Sequence, residues 1–71
     1  MPKRYFEFVD GRSAKFWEVG SRGNDVMVRF GRIGTNGQTQ VKSFPDNTTA
    51  ERRVEKLVTQ KMAKGYELVA S

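Results

Sequence analysis

The chain has 71 residues with no cysteine and no histidine, and its 13 lysines and arginines against 8 aspartates and glutamates leave a net charge of +5. That length holds one domain with a small core, and without cysteine neither a disulfide nor a thiolate metal site can reinforce it, which leaves the redox compartment open. The basic excess favours polyanionic partners: nucleic acid, an anionic membrane surface or an acidic protein face.

Arg4 to Val9 reads as a first strand, with Phe6 and Phe8 on one face and Tyr5, Glu7 and Val9 on the other. Asp10-Gly11-Arg12-Ser13 has hairpin chemistry, and Asp-Gly favours a type I′ turn. Ala14 to Val19 is a second strand that sends Phe16 and Trp17 to opposite faces, so either a second cover exists or one ring is exposed for use. The expectation is Trp17 in the core and Phe16 under a loop or the helix. Gly20 to Asp25 reads as the next turn, rich in residues that tolerate positive φ or bond their own backbone.

Val26 begins a third strand that breaks the ordinary pattern at Phe30-Gly31-Arg32, ahead of a turn at Gly34-Thr35-Asn36-Gly37. Glycine weakens a strand, so Gly31 predicts a bulge or a close backbone approach by another molecule. A ring and a guanidinium at such an opening suit stacking on a sugar or base and gripping a phosphate. The packing alternative is that Phe30 merely continues the Val26 and Val28 face, Gly31 is a kink, and Arg32 is a solvated charge.

A fourth strand, Gln38 to Phe44, puts Gln38, Gln40, Lys42 and Phe44 on one side and Thr39, Val41 and Ser43 on the other. Its polar content suits an exposed surface or a sheet edge. Pro45 ends it, and Thr48-Thr49-Ala50-Glu51 matches a capping box with Thr48 at the N-cap. Ala50, Val54, Leu57, Val58 and Met62 then form a helical apolar stripe. Lys61 and Lys64 fall in the last turn, at the negative end of the helix dipole, and Gly65 suits the C′ position. Tyr66 to Val69 forms a final short strand or extended tail. The predicted fold class is α+β: a small antiparallel sheet, a four-strand meander plus that short C-terminal strand, with one helix packed across one face.

An enzyme is the poorest reading. Without histidine or cysteine the common nucleophile–base pairs are missing. Glu7, Asp10, Glu18 and Asp25 are scattered, with no spacing that pairs carboxylates or holds a metal. No phosphate-loop lysine follows Gly34-Thr35-Asn36-Gly37. Val28-Arg29-Phe30-Gly31 loosely matches an RNA-recognition sheet, but that fold needs two helices and the sequence offers one. No cofactor, metal or catalytic residue is expected. No apolar run approaches the ~20 residues of a membrane span, and the N-terminus lacks the apolar centre of a signal peptide. The expectation is therefore a soluble, cytoplasmic monomer with no membrane partner.

Taken together, Lys15-Phe16-Trp17-Glu18-Val19, Arg29-Phe30-Gly31-Arg32-Ile33-Gly34-Thr35-Asn36-Gly37-Gln38, Lys42-Ser43-Phe44, Ala50 and Lys61-Met62-Ala63-Lys64-Gly65-Tyr66 resemble, in order and across nearly the whole chain, the WGR domain. That family occurs in DNA-dependent poly(ADP-ribose) polymerases and in bacterial proteins, and the resemblance implies a single domain over residues 1–71. One departure matters: Phe30 stands where the family has its first-named tryptophan. In eukaryotic members that tryptophan packs on the sugar beside a DNA 5′ end, while the motif arginine relays or clamps. Phenylalanine keeps the ring face but loses area and the indole N–H donor.

The resemblance and the composition together imply a non-catalytic module for nucleic acid, in particular DNA ends or nicks. Phe30, Gly31 and Arg32 would form the contact corner, with Arg29, Lys42, Lys61 and Lys64 as phosphate contacts and Gln40 as a hydrogen-bonding side chain. A module that docks a protein partner or a neighbouring domain through the same corner is the other class of function.

Overall fold

The computed structural model describes residues 3–70. They form strands β1 (Arg4–Asp10), β2 (Ser13–Arg22), β3 (Asp25–Arg32) and β4 (Gln38–Ser43), helix α1 (Asn47–Ala63) and strand β5 (Glu67–Ala70). The sheet order is β4-β3-β2-β1-β5 and every pairing is antiparallel. The chain thus runs the expected meander, crosses one face as α1, and returns as an edge strand against β1. Among the described residues, no helix is long and apolar enough to cross a membrane.

Alternation along the strands decides the core. Phe6, Trp17, Val19 and Val26 point to the side that α1 covers, where they meet Ala50, Val54 and Val58. The last three follow a four-residue spacing, so one stripe of the helix supplies the cover. Met62 departs from the expected stripe and stays 55% exposed, while Leu57 is half-buried at the margin of the core.

Several local expectations are corrected. The hairpin at Gly11-Arg12 has neither residue at positive φ, so it is not type I′. The Asp10 carboxylate instead accepts from the backbone N–H groups of Arg12 and Ser13, both at 3.3 Å. β2 runs on through Gly20, Ser21 and Arg22, and the second turn shrinks to Gly23-Asn24 between the Arg22–Asp25 pair. Gly20 and Ser21 are buried; at Gly20 a Cβ would lie 3.1 Å from the Lys3 Cγ, so this glycine serves close packing inside a strand.

The helix starts ahead of the expected capping box. Asp46, not Thr48, is the N-cap: its backbone is extended, and its carboxylate accepts from the Thr49 N–H at 2.7 Å. That bond, followed by the nearby Arg52 charge, holds the Asp46 carboxyl below its ordinary range. At the other end Gly65 takes the expected C′ role at φ 101°. Tyr66 N–H donates to the Lys61 carbonyl at 3.1 Å and Gly65 N–H to that of Met62 at 3.0 Å. This pair of bonds turns the chain into β5 and sets the Tyr66 ring on Phe8, 5.5 Å between centroids.

Candidate nucleic-acid interface

Cross-strand register sets which side chains meet. Trp17 faces Phe30, Val19 faces Val28, Val28 faces Gln40 and Val26 faces Lys42. All of these share the helix side of the sheet. From α1, Arg53, Leu57 and Lys61 follow at four-residue intervals on the flank beside the core stripe. Between that flank and the β3–β4 edge lies a groove of about 700 Å³, lined chiefly by Phe30, Phe44, Gln40, Lys42, Arg53, Leu57 and Lys61. Phe30 is half-buried: it packs against the core cluster on one side and borders the groove on the other. It is neither wholly a core ring nor a free one.

A second hollow, about 350 Å³, adjoins the first. Phe30 and Lys61 line both, and beyond them come Lys15, Arg32, Arg12 and Tyr66. Lys15 and Arg32 are there because they pair across β2 and β3 on the helix side. Among the described residues no carboxylate lines either hollow.

Lys61 is the hinge between them. Its ammonium sits 5.6 Å from the Trp17 ring centroid and 5.1 Å from that of Tyr66, within cation–π range. Burial, reinforced by Lys64 and Lys15, pushes its pKa below the ordinary lysine value. The ring faces, with no carboxylate paired to it among the described residues, make it a cation short of an anion.

Gly31 corrects the sequence reading most. β3 keeps regular register through Gly31, opposite Phe16, so there is no bulge. The close backbone approach is real, and it comes from the chain itself. A Cβ on Gly31 would lie 2.8 Å from the Gly37 Cα, and one on Gly37 only 2.6 Å from the Phe16 Cζ. The loop after β3 folds back over the far side of the sheet and lies on the Phe16 ring. Phe16 is therefore under a loop, as expected, and is 2% exposed.

Arg29 secures that arrangement. It is on the side of the sheet opposite the groove, where Nε donates to the Glu18 carboxylate at 3.1 Å and Nη1 donates to the Asn36 carbonyl at 2.9 Å. Its guanidinium lies 4.5 Å above Phe16, which also stacks with the Tyr5 ring at 5.7 Å. The loop also bonds internally, the Thr35 hydroxyl donating to the Arg32 carbonyl at 2.7 Å.

Of the eight residues singled out in the sequence, Phe30, Gln40, Lys42 and Lys61 come together in the larger groove, and Gly31 and Arg32 line the smaller hollow. Arg29 and Lys64 line neither: Arg29 is on the far face, and Lys64 is the exposed C-cap of α1. The site also gathers Arg53, Leu57, Phe44, Lys15, Arg12 and Tyr66, which sequence reasoning did not assign to it. The signal for Arg53 and Leu57 was their four-residue spacing from Lys61.

Comparison with known proteins finds relatives that match nearly all of the chain. The chain is 41% identical over 63 residues to Protein YehF of Escherichia coli K12, covering 89% of this chain and 23% of that protein. It is 34% identical over 65 residues to the E. coli protein YfeS, which is uncharacterized, covering 92% and 27% respectively. The chain thus spans about a quarter of the length of these curated relatives. A crystal structure of a Bacteroides fragilis protein superposes with a TM-score of 0.95 at 46% identity, over 97% of this chain and 20% of that one. The family model of the WGR domain, a small non-catalytic module known in general for binding nucleic acid, matches residues 2–71, and the chain belongs to that family.

Proposed function

We propose that the domain binds DNA at ends or nicks through the helix-side groove. The carrying observation is the meeting of a half-buried aromatic ring, Phe30, with the under-neutralised ammonium of Lys61 and the exposed Arg32 in a hollow without carboxylates. In this reading Phe30 stacks on the terminal sugar or base, as its lost indole N–H still permits. Arg32, Lys42 and Lys61 hold phosphates, and Gln40 offers a hydrogen bond from the β4 wall. Arg29 does not touch DNA in this reading; it holds the 33–37 loop whose packing fixes the backbone at Gly31. Lys64 adds long-range attraction from the end of α1.

A strand end is favoured over a continuous duplex because only an interruption exposes a ring face for Phe30. Titration of the domain with closed-circular, nicked and 5′-phosphorylated linear duplex tests this. Nicked and linear forms are expected to bind more tightly than the closed circle, and equal binding of all three would refute the reading. The alternative, a module docking a protein or neighbouring domain, is favoured by one observation: its curated relatives are about four times longer than the aligned region. In that case affinity for DNA stays weak at every ionic strength.

A further inference from the structure

The two hollows differ in character, and the difference assigns them different parts of one ligand. The larger has an apolar floor of Phe30, Phe44, Val28 and Leu57 between walls that carry Gln40 and Lys42 on β4 and Arg53 on α1. The smaller is walled by Lys15, Arg32 and Arg12. They join where Phe30 and Lys61 line both. We propose, resting on the nucleic-acid reading above, that they form one track for an unpaired strand: bases against Phe30 and Phe44, and the sugar-phosphate backbone along the flanking cations.

The geometry argues for unpaired nucleotides in particular. Phe30, Phe44 and Leu57 are half-buried while Gln40 and Lys42 stand exposed on β4, and the Lys42 ammonium lies 5.6 Å over the Phe44 ring, where a base must displace it to stack. Along a duplex, away from its ends, the base faces are stacked on one another, and the outside presents phosphates and base edges. Such a surface can touch Lys42 or Arg32, but it has nothing flat to lay on a recessed ring. A splayed single strand has both a ring face for each aromatic and a phosphate for each cation, the combination used in single-strand grooves generally. Charge complementarity suits the phosphates of such a strand, as it would those of any nucleic acid: among the described residues both hollows carry cations and no carboxylate.

The test uses three probes at one moderate salt concentration: a blunt duplex, the same duplex with an oligothymidine tail of about eight nucleotides, within the usual range of single-strand sites, and the tail alone. Binding is read by fluorescence anisotropy, with melting followed for each variant. The tailed duplex is expected to bind roughly tenfold or more tightly than the blunt one, since stacked bases contribute on that scale. Gln40→Glu adds one charge inside the groove, whereas Thr39→Glu adds the same charge to the opposite face of the same strand; both positions are exposed. Gln40→Glu should weaken the tailed probe severalfold more than Thr39→Glu does. Equal affinity for blunt and tailed duplexes would overturn the track and leave the end-binding reading standing. So would a tail preference that the two charge variants reduce equally. Failure of all three probes to bind, at this salt and again when the titration is repeated at low salt, would overturn both.

Discussion

At the scale of single residues, Lys61 gives the clearest consequence. Its ammonium is held between Trp17 and Tyr66, and burial lowers its pKa below the ordinary value. Holding it charged therefore costs stability, a cost relieved as pH rises through the lowered folded pKa toward the unfolded one. Phosphate binding favours the charged form, so DNA affinity should fall on alkaline titration earlier than an ordinary lysine would make it. Lys61→Arg stays charged throughout that range, and its affinity should hold flat over the same span. Parallel pH curves for the two proteins would show that Lys61 carries no phosphate. Phe30 is next. Phe30→Ala should lose about 1–3 kcal/mol of DNA binding, and because the ring is only half-buried its melt should fall by less than full core truncation would cause. Phe30→Trp can extend its larger ring into the groove beside it. That variant should tighten binding at an unchanged melting temperature; a lowered melting temperature with no gain in affinity would assign the ring to packing.

At the scale of elements, the loop after β3 depends on two backbones that nearly touch. An alanine at Gly37 would put its Cβ 2.4 Å from the Phe30 carbonyl oxygen and 2.6 Å from the Phe16 Cζ, at φ +70°. At Gly34, φ is +96° but nothing lies within 4 Å of the added carbon. Gly34→Ala should therefore cost only the left-handed strain, about 1–2 kcal/mol. Gly37→Ala adds a collision with backbone and should cost more than about 3 kcal/mol. Thermal melts of the two variants compare them directly, and equal losses would mean that the loop lifts freely off Phe16. Period-two alternation and the helical stripe were enough to read the meander, the single helix, and the opposite placement of Phe16 and Trp17. Turn lengths were not legible. Gly20 and Ser21 have turn composition, yet both are buried in β2, the glycine against Lys3 and the serine opposite Val26 on the helix side. The site was half legible for a related reason. Phe30, Arg32 and Lys61 stood out by type, and alternation along β3 already sets Arg29 on the face opposite Val28 and Phe30, where the Glu18 pairing holds it. Which helix residues meet the β3–β4 edge was not legible, because it depends on how α1 lies across the sheet.

For the whole molecule, the net charge of +5 is less informative than its distribution. Glu7 and Glu18 belong to the face that Arg29 neutralises, and Asp46 is tied to the helix start, so these carboxylates are spent away from the groove. The six cations Arg12, Lys15, Arg32, Lys42, Arg53 and Lys61 line the two hollows, where no carboxylate stands among the described residues. If four to six of them meet phosphates, the logarithm of affinity should fall against the logarithm of salt with a slope of roughly −3 to −5. The slope also identifies which cations take part. Lys42→Gln, in the groove wall, should make it shallower by about 0.7–0.9, the share of one phosphate contact. Lys56→Gln removes the same formal charge from an exposed helix position that lines neither hollow, so it should shift affinity slightly and leave the slope unchanged. Identical slopes for the two variants would mean that the domain attracts DNA by its overall charge alone. A slope near zero in the parent protein would instead point to an uncharged contact, the signature of a protein partner.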